Sequence, residues 1–179
     1  YGSEGDKLAE YAVNQGALGL QFGREFGNYG AIALGYRRAL GEADLLVGQP
    51  DSPSFEYDAG EMYLMATMDR LDDFYFPRDG YGVRTRYLVS RESLGADADF
   101  SQYDLDALYA TAFGPHSLQF ATRYHVTTEG TAPIQSLYRT GGFRRLVGFN
   151  PNELSGQNYA LVLAGYSIEA GHFLRSPLI

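Results

Sequence analysis

From Phe100 to Val126 the residues alternate with a period of two, the mark of paired, half-exposed strands. Tyr103, Leu105, Ala107, Tyr109, Thr111 and Phe113 fall on one face, and Gln102, Asp104 and Asp106 on the other. After a Gly114-Pro115 turn, Leu118, Phe120, Thr122, Tyr124 and Val126 continue the apolar face, while Gln119, Arg123 and His125 continue the polar one. A soluble sandwich alternates in the same way, so the period alone does not choose between water and lipid. The aromatic spacing points to lipid. Tyr103 and Phe113 share a face across roughly 33 Å of strand, or about 25 Å of vertical rise at a tilt near 40°, which is the height of the apolar band of a transmembrane barrel.

Composition narrows the classes further. The 179 residues include 15 Tyr, 11 Phe, 22 Gly and 0 Cys, a chain of aromatic strands and glycine turns. No stretch reaches the ~18 consecutive apolar residues of a membrane helix, so membrane residence requires a barrel. A mean hydropathy of -0.26 is compatible with that, because a barrel with a wet lumen shows lipid only one residue in two. A net charge of -8 with 14 scattered Lys+Arg argues against a nucleic-acid partner. The lack of Cys suits transit through an oxidising periplasm. Tyr1 to Leu8 carry neither a charged n-region nor an apolar h-region, which reads as a start inside a mature protein.

Turn residues divide the chain into seven expected strands, near 16–26, 30–40, 55–70, 80–93, 99–113, 116–126 and 157–170. Phe26-Gly27-Asn28-Tyr29-Gly30, Pro77-Arg78-Asp79-Gly80 and Gly114-Pro115 are tight connections; 41–54, 94–98 and 127–156 are longer. Short turns belong on the periplasmic side of such a barrel, and Phe26, Tyr29, Phe74, Tyr75, Phe76, Tyr81 and Phe113 crowd the same rim as interfacial rings. Leu18, Leu20 and Phe22 read as lipid-facing against Gln21 and Glu25. Ile32, Leu34 and Tyr36 read the same way against Ala31, Ala33 and Gly35, and Met62, Leu64, Ala66 and Met68 against Glu61, Thr67 and Asp69. Val83, Thr85, Tyr87 and Val89 oppose Arg84 and Arg86, which would each cost about 2–4 kcal/mol near the lipid midplane and therefore belong to the lumen. Gln102 reads as a wet lumen position where arginine would be nearly neutral. Strand 157–170 is apolar on both faces and takes no orientation from its sequence.

Two segments carry a family resemblance. Asp73-Phe74-Tyr75-Phe76-Pro77-Arg78-Asp79-Gly80-Tyr81, then Leu94-Gly95-Ala96-Asp97 and Phe100, resembles the "FP-x-x-G-Y … LG-x-D-x-x-[FY]" passage of the surface-antigen barrels in the BamA-like outer-membrane assembly and translocation superfamily. Gly141-Gly142-Phe143-Arg144-Arg145-Leu146-Val147-Gly148-Phe149 is similar to that superfamily's loop-six signature, a glycine pair followed by [VI]-R-G-[FY]. Asn150-Pro151-Asn152-Glu153-Leu154-Ser155-Gly156-Gln157-Asn158 resembles the branch joined to a patatin-type lipase passenger. The resemblance covers about 71–170 and implies a fragment, some seven to eight strands of a sixteen-stranded barrel, with residues 1–179 forming part of one barrel domain. It implies a bacterial outer-membrane location and a long extracellular or lumen loop at 127–156. It also implies as partners the lipid bilayer, a translocated polypeptide or fused passenger, and a second copy of the chain in a homo-oligomer. The motif arginine is replaced by Val147, so the family's bond from that arginine to the barrel wall does not carry over; Arg144 or Arg145 is the available substitute.

The candidate site is therefore the loop motif Gly141, Gly142, Phe143, Arg144, Arg145, Gly148 and Phe149, facing a polar lumen wall of Arg84, Arg86, Asp104, Asp106 and Arg123. With Glu61 added, the wall is of mixed sign and self-neutralising, without the excess that ion selectivity needs. Gly141, Gly142 and Gly148 allow positive φ and close backbone approach. Asp104 and Asp106 share a face, as an acid and base pair would, but such carboxylates on a wet strand are ordinarily just solvated. His116, His125 and His172 lack metal-ligand spacing, Asp97 and Asp99 lack an EF-type pattern, and no G-x-S-x-G occurs, so no catalytic residue, metal or cofactor is expected. Lipase activity would reside elsewhere in the parent. Three classes remain: a translocator segment that secretes or assembles polypeptides; an independent small barrel acting as anchor or passive pore; and a soluble ligand-binding barrel with its apolar face inward.

Overall fold

The computed structural model describes residues 9–48, 55–142, 146 and 148–169. Its main sheet is antiparallel and seven-stranded, in the order β1 (Ala9–Glu25), β2 (Ala31–Gly48), β3 (Phe55–Asp69), β4 (Gly80–Ser90), β5 (Phe100–Phe113), β6 (His116–Gly130) and β9 (Asn158–Ile168). The short strands β7 (Tyr138–Thr140) and β8 (Leu154–Gly156) pair as a separate ribbon inside the β6–β9 connection. Every neighbour in the main sheet is a sequence neighbour among its strands, as in an up-and-down barrel wall. The sheet is open, with β1 and β9 at its edges.

The register sorts the two faces as the alternation requires. Arg84, Asp106 and Arg123 lie in one cross-strand row, and Arg86, Asp104 and His125 in the next. On the opposite face Tyr81, Tyr109 and Phe120 align across three strands, and Tyr87 pairs with Tyr103 six residues nearer the loop end. These two aromatic rows bracket Val83, Thr85, Leu105, Ala107 and Thr122, the arrangement of interfacial rings around a hydrocarbon band. Leu18, Leu20, Phe22, Leu34, Leu64 and Val162 of this face are exposed, whereas Ala33, Glu61, Gln102, Asp104 and Ala110 of the polar face are buried. Pairing β9 with β6 orients the strand that its sequence left open: Tyr159, Leu161 and Leu163 fall on the polar face, and Ala160, Val162 and Tyr166 on the apolar one.

The β3–β4 connection is ten residues long rather than a four-residue turn. It is still compact, because carboxylates tie up its backbone. Asp73 Oδ1 accepts from the amides of Tyr75 and Phe76, and Asp72 Oδ1 from those of Arg78 and Asp79. Those last two bonds hold the Asp72 carboxyl below the usual carboxylate value. The connection leans over the polar face. Leu71 packs above Gly82, Gln119 Nε2 donates to the Pro77 carbonyl at 2.8 Å, and Arg78 reaches the Gly114 carbonyl and Glu169. Phe74, Tyr75 and Phe76 remain exposed upon it.

Candidate functional site: the polar wall and its long loop

Strands β4, β5 and β6 bring the five predicted wall residues together. Arg86 directs both Nε and Nη2 to Asp104 Oδ2 at 2.7 Å, a fork that a guanidinium makes and an ammonium does not. Arg123 Nε stands 3.7 Å from Asp106 Oδ1. His125, the next inward residue on β6, lies between the two carboxylates, with Nε2 3.2 Å from Asp106 Oδ1 and Nδ1 3.8 Å from Asp104 Oδ1. Arg84 faces Asp106 across the pair of strands and makes no ion pair among the described residues. Glu61 belongs to a separate pair with Arg37, at 3.2 Å. The mixed-sign wall is thus mostly internally neutralised.

Gln102 departs from its reading as a wet position. It is 4 % exposed, and its amide donates to the Ser136 carbonyl at 3.0 Å and approaches Thr127 Oγ1 at 3.5 Å. Arginine there would have to fit a longer, charged side chain into a site that the loop covers. Gln102 is one of three brackets that seat the β6–β9 connection on the polar face. Gln157 is the second, since its side chain exchanges bonds with both the amide and the carbonyl of Ala132, at 3.0 and 2.8 Å. Ala132 then packs with Leu88 and Phe100 in a small core that Tyr63 and Ala98 border. The third is Tyr138, whose ring lies 5.1 Å from His125 and 6.4 Å from Tyr159. Its hydroxyl donates to the Val126 carbonyl at 3.4 Å. Burial, and then the Asp104 carboxylate beside it, push this phenol above the ordinary tyrosine value.

Beyond β7 the loop turns sharply. Gly141, Gly142 and Gly148 all have positive φ, of 130°, 92° and 111°. A Cβ on Gly141 would stand 2.3 Å from the Asn150 carbonyl oxygen, so only glycine lets the two arms of the loop approach this closely. Gly142 N donates to the Phe149 carbonyl at 3.1 Å. Phe143, Arg144, Arg145 and Val147 lie outside the described residues, and with them the expected bond from Arg144 or Arg145 to Asp104 or Asp106. Asp97 and Asp99 serve loop backbone instead of converging on an ion site: Asp97 accepts from the Asp58 amide and Asp99 from the Glu92 amide, each at 2.7 Å. Among the described residues no group of three metal-ligating side chains occurs.

The sequence reading missed Tyr138, Gln157 and Tyr159. Tyr138 sits in a loop where strand period says nothing, and Tyr159 in the strand whose two faces look alike. His125 was already on the polar face by period; its role needed the register that puts it opposite Asp104.

An antiparallel wall with one apolar aromatic-banded face, one charged face and a long loop laid on the charged side has the pattern of part of a transmembrane β-barrel. The family model for the Omp85 superfamily domain matches residues 3–177, and the chain belongs to that superfamily. Its members are outer-membrane translocator barrels that insert or move polypeptides, and not an enzyme family. No curated protein matches the chain.

Proposed function

We propose that this chain is wall and loop of a translocator in the bacterial outer membrane, with the 131–157 connection as the element that must move when a polypeptide passes. The observation behind this reading is the placement of that connection on the polar face, held by Gln102, Gln157 and Tyr138. A passive pore has no need of a 27-residue connection bracketed across its wall. The wall is taken as part of a single barrel domain of sixteen strands, its apolar face against the bilayer. The run Asn150 to Asn158 supports a parent that carries a patatin-like lipase passenger, which would lie outside these residues.

A reversible tether tests the moving part. In the full-length parent, cysteines at Gln102 and Ser136 joined by a short, reducible thiosulfonate cross-linker should stop secretion or assembly, and reductant should restore it. Unchanged activity of the cross-linked protein would leave an anchor or passive pore as the function. A parent gene without a patatin-type region bearing G-x-S-x-G would remove the passenger and leave the barrel reading intact.

A further inference from the structure

The seat beneath Tyr138 is more elaborate than packing a loop requires. His125 and Tyr159 approach to 4.8 Å and form two sides of it. The third side is Asp104, 8 % exposed, whose Oδ1 is buried without a hydrogen-bond partner. His125 cannot swing away, because Asp106 holds its Nε2 at 3.2 Å. Arg86 fixes the other Asp104 oxygen. Residues from β4, β5, β6 and β9 thus converge on one ring contributed by β7. A buried carboxylate oxygen left unpaired is unfavourable unless a donor lies within reach, and the Tyr138 hydroxyl, whose bond to the Val126 carbonyl is long at 3.4 Å, stands beside it as an alternative donor.

We propose that Tyr138 is the positioning residue that latches the outer arm of the loop to the wall, with His125, Tyr159 and Asp104 as its receptor. The proposal deepens the translocator reading and rests on it for its purpose, but the latch itself is a statement about loop docking. The Gln102 and Gln157 brackets lie at the base of the connection, next to Ser136 and Ala132; Tyr138 sits on the ribbon that leads into the glycine turn. Ring and hydroxyl contribute separately. Tilted and edge-on rings attract one another beyond the area they bury, and a neutral hydrogen bond adds a modest net gain.

Thr140 supplies a reporter. It is 7 % exposed and shares a strand face with Tyr138 by the two-residue period, so a cysteine there is shielded while the ribbon is docked. In a cysteine-free full-length parent carrying Thr140→Cys, labelling by a membrane-impermeant maleimide in intact outer membrane should be slow. Tyr138→Ala should accelerate it about tenfold, the equivalent of ~1.4 kcal/mol of docking, and Tyr138→Phe only about threefold, because the ring still fills the seat. His125→Ala should accelerate labelling from the wall side, and combining it with Tyr138→Ala should add little, since both break one contact. Heat-modifiable mobility of the barrel should be unchanged in all of them. Labelling of the Tyr138→Ala and His125→Ala proteins at the parental rate would overturn the latch. So would equal acceleration by Tyr138→Phe and Tyr138→Ala, which would show that the ring has no role. A latch that reads out correctly while the Gln102–Ser136 tether leaves secretion intact would separate a true docking contact from a mistaken translocator reading.

Discussion

The polar face is built in two different ways. Over β4, β5 and β6 it is a ladder of arginines, aspartates and a histidine, neutralised strand to strand. Over β1, β2 and β3 it is mainly glycine, alanine, glutamine and tyrosine, with charge confined to the Arg37–Glu61 pair and to Glu25 and Asp69 at the turn end. Tyr63 lies across Gly35 to donate to Gln21 at 2.9 Å, and Tyr57 lies across Gly41 to donate to Gln15 at 2.9 Å. Both bonds skip the middle strand, which is possible because a Cβ on Gly35 or Gly41 would be 2.2 or 2.3 Å from the tyrosine ring. The contrast teaches that a lumen wall does not require charge to be polar. The ladder of charges lies beneath Tyr138, and the charge-poor half is stitched by ring-over-glycine contacts.

If the halves differ only on this face, their lipid-facing backs should respond alike. Leu64→Arg on β3 and Leu105→Arg on β5 should each cost about 2–4 kcal/mol in denaturant unfolding of the full-length parent in bilayers; a large inequality would mean that the apolar band is not shared. The second test falls on the charged half. Asp104→Ala strips Arg86 of its fork and should cost about 2 kcal/mol, less than the ~3–5 of a fully buried pair because the Arg86 side chain is 40 % exposed. It should also speed labelling at the Thr140 reporter, while a matching loss at Tyr63→Phe would erase the distinction drawn here. The third test is steric and belongs to the charge-poor half. Gly35→Ala should cost about 1–2 kcal/mol by forcing the Tyr63 ring out of place, and Tyr63→Ala in the same chain should relieve much of that loss. Additive losses would show that the ring does not depend on the gap. The smallest effect concerns the rim. Asp72 is held below its ordinary 3.8 in the folded chain, so its contribution is complete above that value and fades as pH falls through the lower folded value. Protection of the Arg78 and Asp79 amides, taken relative to their intrinsic exchange rates, should therefore fall only in acid, and Asp72→Asn, which keeps an acceptor without the charge, should flatten that response.

Much of this was legible beforehand, for a physical reason. Where a strand shows lipid on one face and water on the other, the period of two is written in every residue, and the expected strands at 99–113 and 116–126 correspond to Phe100–Phe113 and to the first eleven residues of His116–Gly130. The expected strand at 30–40 stopped at the longer 41–54 connection, whereas β2 runs on to Gly48. In the structure Arg38 takes the apolar side and pairs with Asp58 at 2.6 Å, near the rim, where the Tyr36 hydroxyl also bonds the Leu94 carbonyl of the 91–99 connection. Gly41 looked like a turn and is a strand residue making room for Tyr57. The loop motif was legible as a pattern of glycines with unusual backbone, while its seat was not, since Tyr138, Gln157 and Tyr159 come together only through the long-range β6–β9 pairing and the folding back of the loop.

The tyrosines laid across glycines also bear on how such a wall is put together. A hairpin can slip by two residues and keep every side chain on its proper face, so alternation alone cannot reject the error. A slip of β3 against β2 by that amount would set Tyr63 over Ala33 or Arg37 instead of Gly35, where a side chain already fills the gap. Tyr57 would meet Ala39 on one of the two slips. Two tyrosines six residues apart, matched to two glycines six residues apart, therefore act as a key cut for one alignment of three successive strands, proofreading the pairing as the sheet grows.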